Sequence, residues 1–268
     1  MKICHSADVM IKQDKKFVSD KIYIYGHHAV EEALLNCPQS MDLILAAHPI
    51  SSEYLQIAKD NKIRIEKLTK DSIPRGVDNT LVHQGYIGRI SIENLVRPYN
   101  EFIETLEVTP DICIVVLGEV QDPQNVGAII RSAAAFGIAA VLIPEHKQAQ
   151  VNGTVVKVSA GMAFRVPLVK IGNVNTTIKD LKERGFWIYG LDGGAKQSLS
   201  SEKFESAAVI ILGNEGEGIR EKTLEACDIP LAIPMNKNCE SLNVAASGAV
   251  ALYAWSAKHP KALKRGEF

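Results

Sequence analysis

Short apolar runs alternate with helical segments along the chain beyond residue 110. Strands are predicted at 112–117, 139–143, 187–191, 207–212 and 231–233, and helices at 125–136, 176–184, 220–226 and 242–256. Strands that alternate with helices favour a mostly parallel sheet covered on both faces, because each crossover helix buries its apolar stripe on the sheet. We therefore predict an α/β domain over residues 111–268.

A smaller α/β unit is predicted ahead of this domain, over residues 21–95. Its predicted strands are 22–25, 42–46, 63–68 and 86–92, and its predicted helices are 28–35 and 51–59. Residues 1–20 are polar and charged, so we expect a flexible N-terminus there. Residues 96–110 contain Pro98 and several acids, and we interpret them as a linker or a short linking helix.

The composition argues against a membrane protein and against a protein that coats nucleic acid through bulk charge. The net charge is −1 over 268 residues. The longest apolar runs are much shorter than the roughly 20 residues that cross a bilayer. Five cysteines, with no C-x-x-C spacing, indicate reduced thiols in the cytoplasm. The histidines lack metal-ligand spacing, and the adjacent His27 and His28 are expected to point in different directions, so no metal is predicted.

The first segment with potential for chemistry runs from Asp122 to Gly137, where a helix is predicted to begin. Pro123 suits the first turn of that helix and Asn125 suits its N-cap. Arg131 stands among isoleucines and alanines, where burial of a guanidinium without a partner is costly. Arg131 is either a surface residue of an amphipathic helix or a functional cation, and the scarcity of other polar residues favours a function.

A glycine-rich loop, Gly213 to Gly218, directly follows the predicted strand 207–212. Glycines at the end of a strand allow a ligand to approach the backbone closely. Their order matches neither the dinucleotide-binding fingerprint nor the P-loop. Glu215 and Glu217 would repel a phosphate. The loop is therefore a simple connection, or it suits a ligand that is neutral or cationic at the contact point, such as a sulfonium or an arginine.

The third segment runs from Ile233 to Ser247, through the end of a strand, a polar loop and a predicted helix. The helix is predicted to begin near Ser241, a natural N-cap. Asn243 would then lie in the first turn, where backbone N–H groups are free to meet a ligand. Plain capping would explain Ser241. It would not explain Asn243 followed by a helix face made of small residues.

Together the three segments resemble the SpoU (TrmH) class of RNA ribose 2′-O-methyltransferases. The family pattern N-x-G-x-x-x-R-[ST]-A matches residues 125–133, G-x-E-x-x-G matches 213–218, and I-P-M…S-L-N-V matches 233–244. Residues 25–34 and 83–85 resemble the N-terminal substrate-binding module of one branch. That branch includes the enzyme that methylates a guanosine ribose in large-subunit ribosomal RNA, and transfer RNA is the alternative target.

The resemblance implies a parallel sheet with a deep trefoil knot, a homodimer of knotted domains, and S-adenosylmethionine as the methyl donor. It implies that the unit 21–95 binds the RNA and that no metal takes part. It also implies that three loops contact the donor, largely through their backbone. The donor-binding residues would be Gly213, Ile233 and Leu242, with Asn214, Gly218 and Met235 in the same loops.

The resemblance assigns Arg131 to the ribose 2′-hydroxyl. Asn125 and Glu215 would hold Arg131 in place, and Ser241 and Asn243 would orient RNA or donor. Free arginine has a pKa above about 12, so we favour a cation that lowers the pKa of the hydroxyl, with a true base role left open. Glu240 departs from the family pattern and adds an acid beside the expected RNA path.

Two other functional classes make different demands on the sequence. A nucleotide-dependent oxidoreductase on a similar sheet needs a glycine fingerprint after strand 112–117, and that fingerprint is absent from the sequence. An inactive SpoU-like RNA-binding protein would have lost Arg131 or Asn243, and both are present. The cations of residues 59–70 and of the tail 258–265 are either solvated or in contact with RNA phosphates.

Overall fold

The computed structural model describes residues 21–69, 72–73 and 83–264. The expected flexible segment 1–20, most of the predicted loop 71–79 and Arg265 of the basic tail lie outside the described residues. Across the described ranges, no helix combines the length and the apolar character that a bilayer crossing needs. The cysteines within these ranges are free thiols.

The N-terminal unit is a four-stranded sheet with two helices. Its elements are β1 (Lys21–Tyr25), α1 (His27–Asn36), β2 (Met41–Ala46), α2 (Ser52–Asp60), β3 (Arg64–Lys67) and β4 (Tyr86–Ser91). The strand order is β1-β4-β2-β3, with β4 antiparallel to both of its neighbours and β3 parallel to β2. Ser51 caps α2 by accepting a hydrogen bond from the backbone N of Tyr54. Every residue of β3 is exposed, as expected for an edge strand of alternating character.

The larger unit is an eight-stranded sheet in which all paired strands are parallel. Its strands are β5 (Val96–Pro98), β6 (Cys113–Leu117), β7 (Ala140–Pro144), β8 (Leu168–Ile171), β9 (Trp187–Leu191), β10 (Gln197–Ser198), β11 (Ala208–Leu212) and β12 (Ile229–Ala232). Their order is β10-β12-β9-β11-β6-β7-β8-β5. The predicted α/β class with a mostly parallel sheet is confirmed.

Helices cover both faces of this sheet. They are α3 (Tyr99–Thr105), α4 (Pro123–Ala135), α5 (Gly153–Val158), α6 (Val174–Glu183), α7 (Glu221–Glu225) and α8 (Val244–Ser256). One core contains α4, α5 and α8, and a separate core contains α3 and α6. Strands β6, β7 and β11 are buried along their whole length, because both faces of the sheet are covered.

The segment 96–110 is more than a linker. Residues 96–98 form β5, which pairs with β8 at the edge of the large sheet, and residues 99–105 form α3. Phe102 and Ile103 of α3 are buried in the core on one face of that sheet. The segment is therefore part of the larger unit.

The two units share one continuous apolar core. Residues of β1 and α1 belong to the same buried cluster as α4 and α5. Arg165 makes two hydrogen bonds to the carboxylate of Glu32 on α1, at 2.6 and 2.9 Å. The Sγ atom of Cys37 donates to the carbonyl of Phe164. These contacts fix α1 against the segment between α5 and β8.

Candidate active site at the carboxyl edge of the large sheet

A cavity of about 310 Å³ opens where β9, β11 and β12 end. The carboxyl ends of parallel strands meet at one edge of a sheet, which is where open α/β sheets bind ligands. The lining residues are Leu191, Asp192, Gly193, Leu212, residues 213–218, Leu231, Ile233, Met235, residues 240–242, Val244 and Ser247. All six residues predicted to bind the donor lie in this lining.

The loop 213–218 is held by its own asparagine. The Oδ1 atom of Asn214 accepts hydrogen bonds from the backbone N of Gly216 and of Glu217. Its Nδ2 atom donates to the carbonyl of Glu119. A Cβ at Gly213 would lie 2.2 Å from the carbonyl carbon of Gly218. Glycine at 213 is therefore required for closure of the loop itself, before any ligand is considered.

A chain of hydrogen bonds joins the three predicted motifs. The Nδ2 atom of Asn125 donates to Glu215 at 2.9 Å, and the Nδ2 atom of Asn243 donates to Oδ1 of Asn125 at 3.0 Å. Glu215 also accepts from the backbone N of Gln121 and of Asp122. The glycine-rich loop, the start of α4 and the start of α8 are thus fixed relative to one another.

The charge state of Glu215 follows from this environment. Burial disfavours its ionised form, but the hydrogen bond from Asn125 and those from backbone N–H groups outweigh burial and lower the pKa of the carboxyl. Glu215 is therefore ionised at neutral pH and acts as an acceptor for the α4 N-terminus.

Two predicted helix caps were wrong by a few positions. Asp122 caps α4 by accepting from the backbone N of Gln124, which leaves Asn125 free for its side-chain contacts. Asn243 caps α8 by accepting from the backbone N of Ala245 and of Ala246. Ser241 lies in the loop before α8, is exposed, and lines the cavity.

Arg131 is not held by Asn125 and Glu215 as predicted. Asn125 and Glu215 bond to each other instead. Arg131 is exposed on α4, lies outside the cavity lining, and makes no ion pair with any described residue. Its guanidinium therefore faces solvent and is available to a ligand or to another chain.

Several lining residues were missed by the sequence reasoning. Leu191 ends β9, and Asp192 and Gly193 follow it; the glycine after that strand was a local sign of a ligand-facing turn. Glu217 and Glu240 also line the cavity. Glu240 was noted only as an acid near the expected RNA path.

The chemistry of the cavity suits a ligand with apolar and cationic parts. Leucine, isoleucine and methionine side chains form its apolar walls, and four carboxylates (Asp192, Glu215, Glu217 and Glu240) line it. Carboxylates accept hydrogen bonds from hydroxyls and attract positive charge, but they repel phosphates. These residues fit the sulfonium, ribose and adenine of S-adenosylmethionine.

The chain matches two family descriptions. The SpoU rRNA Methylase family matches residues 112–253. The RNA 2'-O ribose methyltransferase substrate binding family matches residues 23–95. The first match covers the large sheet with the cavity, and the second covers the four-stranded sheet.

The chain is similar to curated methyltransferases over most of its length. It is 36% identical over 236 residues to the 23S rRNA (guanosine-2'-O-)-methyltransferase RlmB of Xanthomonas campestris pv. campestris, covering 86% of this chain and 94% of that protein. It is 34% identical to the protein of the same name from Neisseria meningitidis serogroup B, covering 85% and 92%.

Solved structures show the same fold. The SpoU methyltransferase AviRb from Streptomyces viridochromogenes, solved in complex with AdoMet, matches with a TM-score of 0.75 at 18% identity, covering 93% of this chain and 94% of that one. An RNA 2'-O ribose methyltransferase matches with a TM-score of 0.68 at 22% identity, covering 90% of each chain.

Proposed function

Because the chain belongs to the SpoU rRNA methylase family, we propose that it methylates the 2′-hydroxyl of a guanosine in 23S ribosomal RNA with S-adenosylmethionine as donor. The observation that carries the proposal is the convergence of all three motifs. The hydrogen bonds from Asn243 to Asn125 and from Asn125 to Glu215 join the motifs beside one cavity. We expect the protein in the cytoplasm, because its proposed substrate is ribosomal RNA.

The donor would be held by the loops after β9, β11 and β12. When bound, S-adenosylmethionine supplies the methyl carbon. The backbone of Gly213, Ile233 and Leu242 would line its site, with Asn214, Gly218 and Met235 in the same loops. The carboxylates at the cavity would favour the cationic side of the donor.

Arg131 is proposed to act on the ribose hydroxyl. A 2′-hydroxyl is a weak nucleophile until its proton leaves, and a fixed cation beside it lowers its pKa and stabilises the alkoxide. The guanidinium itself stays protonated, since its pKa lies above about 12. The proton passes to water, and an RNA phosphate next to Arg131 would help to hold the guanidinium by accepting hydrogen bonds from it.

Asn125, Glu215 and Asn243 are proposed as positioning residues. Their hydrogen bonds fix the start of α4, and Arg131 follows on the same helix. A displacement of this helix start would move the cation relative to the cavity, and misplacement by about 1 Å can cost a hundredfold in rate. Ser241, exposed at the cavity, would contact RNA or donor.

The finer architecture is also a proposal. We propose that the segment 233–243 passes through a loop of the chain to form a trefoil knot. Its support is the close packing of α8 against the end of β11, where Gly248 approaches the side chain of Leu212 so closely that a Cβ would lie 2.9 Å from its Cδ1 atom. We further propose a homodimer, because Val250 and Tyr253 of the apolar helix α8 are exposed, at 41% and 62%.

The N-terminal unit is proposed to bind the RNA, in line with its family description. The edge strand β3 and the turn before it present three exposed cations: Lys62, Arg64 and Lys67. Arg64 also lies 3.5 Å from Glu66. Phosphate contacts of this kind would orient the RNA without specifying its sequence. We propose domain limits at 21–95 for this unit and 111–268 for the catalytic unit, with β5 and α3 of the intervening segment joining the latter.

The test is methyl transfer from labelled S-adenosylmethionine to purified 23S ribosomal RNA, with transfer RNA in a parallel reaction. We expect label in the ribosomal RNA and a 2′-O-methylguanosine on mapping. Label in the transfer RNA alone would show that transfer RNA, and not ribosomal RNA, is the substrate. RNA binding without transfer to any RNA would favour the inactive RNA-binding homologue.

A further inference from the structure

Four aromatic and imidazole rings meet at one corner of the N-terminal unit. We call His27, His28, His48 and Tyr86 the ring corner. The ring centroids lie 5.7 Å apart for His27 and His28, 5.1 Å for His27 and Tyr86, and 6.1 Å for His48 and Tyr86. The rings come from three separate segments: the start of α1, the turn after β2 and the start of β4.

The rings are accessible and are not stacked on one another. The three histidines are exposed, and the side chain of His28 is 85% exposed. Tyr86 is half-buried, with its hydroxyl donating to the carbonyl of Pro49. The planes of the contacting rings meet at 52° to 79°, so none of these contacts is a parallel stack. The three exposed histidine rings are thus presented to solvent in different orientations, and Tyr86 supports them while packing partly against the core.

The backbone that carries the rings is held in conformations that most residues avoid. Gly26, Gln84 and Gly85 have φ angles of 103°, 49° and 81°. The backbone N of His27 donates to Oε1 of Gln84. A Cβ at Gly85 would lie 2.5 Å from the His48 ring. The two glycines adopt a positive φ without strain, so the free-energy cost falls on Gln84, and such strained residues cluster at functional sites.

The carboxylate of Glu31 beside the ring corner favours contact with RNA bases over contact with phosphates. Glu31 lies 3.4 Å from Nδ1 of His27 and 3.6 Å from Nδ1 of His28. A carboxylate there disfavours a phosphate but not the face of a base. Unpaired RNA bases stack on aromatic and imidazole rings, and every base offers such a face.

We propose that the ring corner stacks on unpaired bases of the RNA substrate, while the cations of β3 contact phosphates. This inference rests on the proposed function and adds the part of the RNA that the N-terminal unit recognises: unpaired bases of a loop or a bulge. The ring corner includes the first turn of α1, and α1 is fixed to the catalytic unit through Glu32 and Arg165. A base held there is therefore held at a set position relative to the cavity.

The experiment measures binding of the full-length protein to a short single-stranded RNA that carries a 2-aminopurine base, over a range of KCl concentrations. The test variants are His28→Ala and Tyr86→Leu, singly and together. Two variants are controls. Tyr86→Phe keeps the ring at its position, and Trp187→Ala removes a ring elsewhere, one that is 47% exposed at the amino end of β9, away from the cavity edge. The triple variant Lys62→Ala, Arg64→Ala, Lys67→Ala is the phosphate-contact comparison.

Loss of stacking should weaken RNA binding without changing its salt dependence, because salt dependence comes from cations that neutralise phosphates and not from stacked rings. We expect the double ring variant to raise the dissociation constant roughly tenfold and to abolish the fluorescence quenching of 2-aminopurine. Tyr86→Phe and Trp187→Ala should behave like the wild type. The triple cation variant should instead flatten the slope of log K against log salt.

Unchanged affinity and quenching in the folded double ring variant would overturn the proposal. A flattened salt slope in that variant would also overturn it, in favour of phosphate contacts. Binding that depends on Zn²⁺ and is lost with a chelator would instead assign His27, His28 and Glu31 to a metal, since their ligand atoms lie within 4.8 Å of one another. Wild-type methylation of 23S ribosomal RNA is measured in parallel. Its absence refutes the proposed function, whereas normal transfer with no effect of the ring variants refutes only the stacking.

Discussion

The Nδ2 atom of Asn243 donates a hydrogen bond of 3.0 Å to Oδ1 of Asn125, across 118 positions of the chain. The Oδ1 atom of Asn243 caps α8, and the Nδ2 atom of Asn125 donates to Glu215. One pair of amides therefore connects two helix N-termini to the glycine-rich loop. Because each amide uses both its donor and its acceptor, a change at either residue should be felt at the other.

We expect Asn243→Ala to lower the free energy of unfolding by about 1–2 kcal/mol, from the lost cap and the acceptor left unpaired on Asn125. Asn243→Asp keeps a capping oxygen but loses the N–H group that donates to Asn125. It should therefore be more stable than Asn243→Ala and still bind S-adenosylmethionine more weakly than the wild type. Urea denaturation and calorimetry with S-adenosylmethionine measure the two effects. Asn173→Ala, which removes the N-cap of α6, is the matched control. It should cost about 1 kcal/mol and leave donor affinity unchanged. Equal donor affinity in both Asn243 variants and the wild type would contradict the network.

Arg131→Ala should abolish methyl transfer without unfolding the protein. Arg131 is exposed and makes no ion pair within the described chain, so its loss leaves no buried group unpaired. We expect a rate loss of roughly a hundredfold or more and a Tm within a few degrees of the wild type. Single-turnover transfer and thermal unfolding provide the measurements. Arg184→Ala, at an exposed arginine paired with Asp180, is the control and should keep full activity. Near-normal turnover of Arg131→Ala would remove this residue from the mechanism.

Glu215 should give the protein a stability that depends on pH. The pKa of its carboxyl is lowered from the ordinary 4.5 because hydrogen bonds from Asn125 and the backbone outweigh burial. A lowered pKa means stabilisation that is present above the unfolded pKa and lost as pH falls through the folded pKa. Glu215→Gln should therefore have a lower Tm than the wild type at pH 7, and the difference should shrink as pH falls below about 4. A difference in Tm that stays constant from neutral to acid pH would show that Glu215 acts through shape alone.

Gly213→Ala and Gly216→Ala should separate loop closure from general effects of adding a methyl group. A Cβ at Gly213 would lie 2.2 Å from the backbone of Gly218, whereas a Cβ at Gly216 meets only the Oδ1 atom of Asn214, at 3.6 Å. We expect Gly213→Ala to raise the dissociation constant for S-adenosylmethionine severalfold or more, because the loop must shift. Gly216→Ala should bind nearly as the wild type does. Equal affinities by calorimetry would move the donor away from this loop.

The sequence pattern predicted the strands and helices that carry the motifs but missed elements between them. Helix α5 has six residues and β8 has four, too short for a clear period. Strand β5 was interpreted as linker because it ends in Pro98. A proline is tolerated there because β5 is an edge strand. Removal of the N-terminal unit by starting the chain near residue 105 would also remove β5 and most of α3, which belong to the larger unit. The two units are therefore better probed by point variants.

The sequence predicted which residues form the site better than it predicted the contacts between them. The motif spacing identified the residues of the cavity loops, but the local sequence predicted Ser241 as the cap of α8 and placed Asn243 in its first turn, whereas Asn243 is the cap. The side chain that caps α8, Asn243, is the one that also makes a tertiary hydrogen bond to Asn125, and this contact is not visible in the local sequence. The expected contact of Arg131 with Asn125 fails on helix geometry, because the two lie about one and two-thirds turns apart and so face different directions. The ring corner brings together three distant segments. The resemblance of residues 25–34 and 83–85 to a substrate-binding module marked two of them, but it indicated neither His48 nor the contacts between the rings.

A second copy of the chain is expected to cover α8. This helix is apolar nearly all round, and Leu252 and Trp255 are buried in the core, yet Val250 and Tyr253 remain exposed. The Tyr253 ring also contacts Phe136 at the end of α4, which extends the exposed apolar surface toward the helix that carries Arg131. Burial of such a surface is favourable, so light scattering at micromolar concentration should report about twice 29.3 kDa. The double variant Val250→Lys, Tyr253→Lys should be monomeric and should lose methyl transfer. Leu55→Lys, at an exposed leucine of α2, should remain a dimer. A folded monomer with full activity would refute the dimer and would require one chain to complete the site by itself.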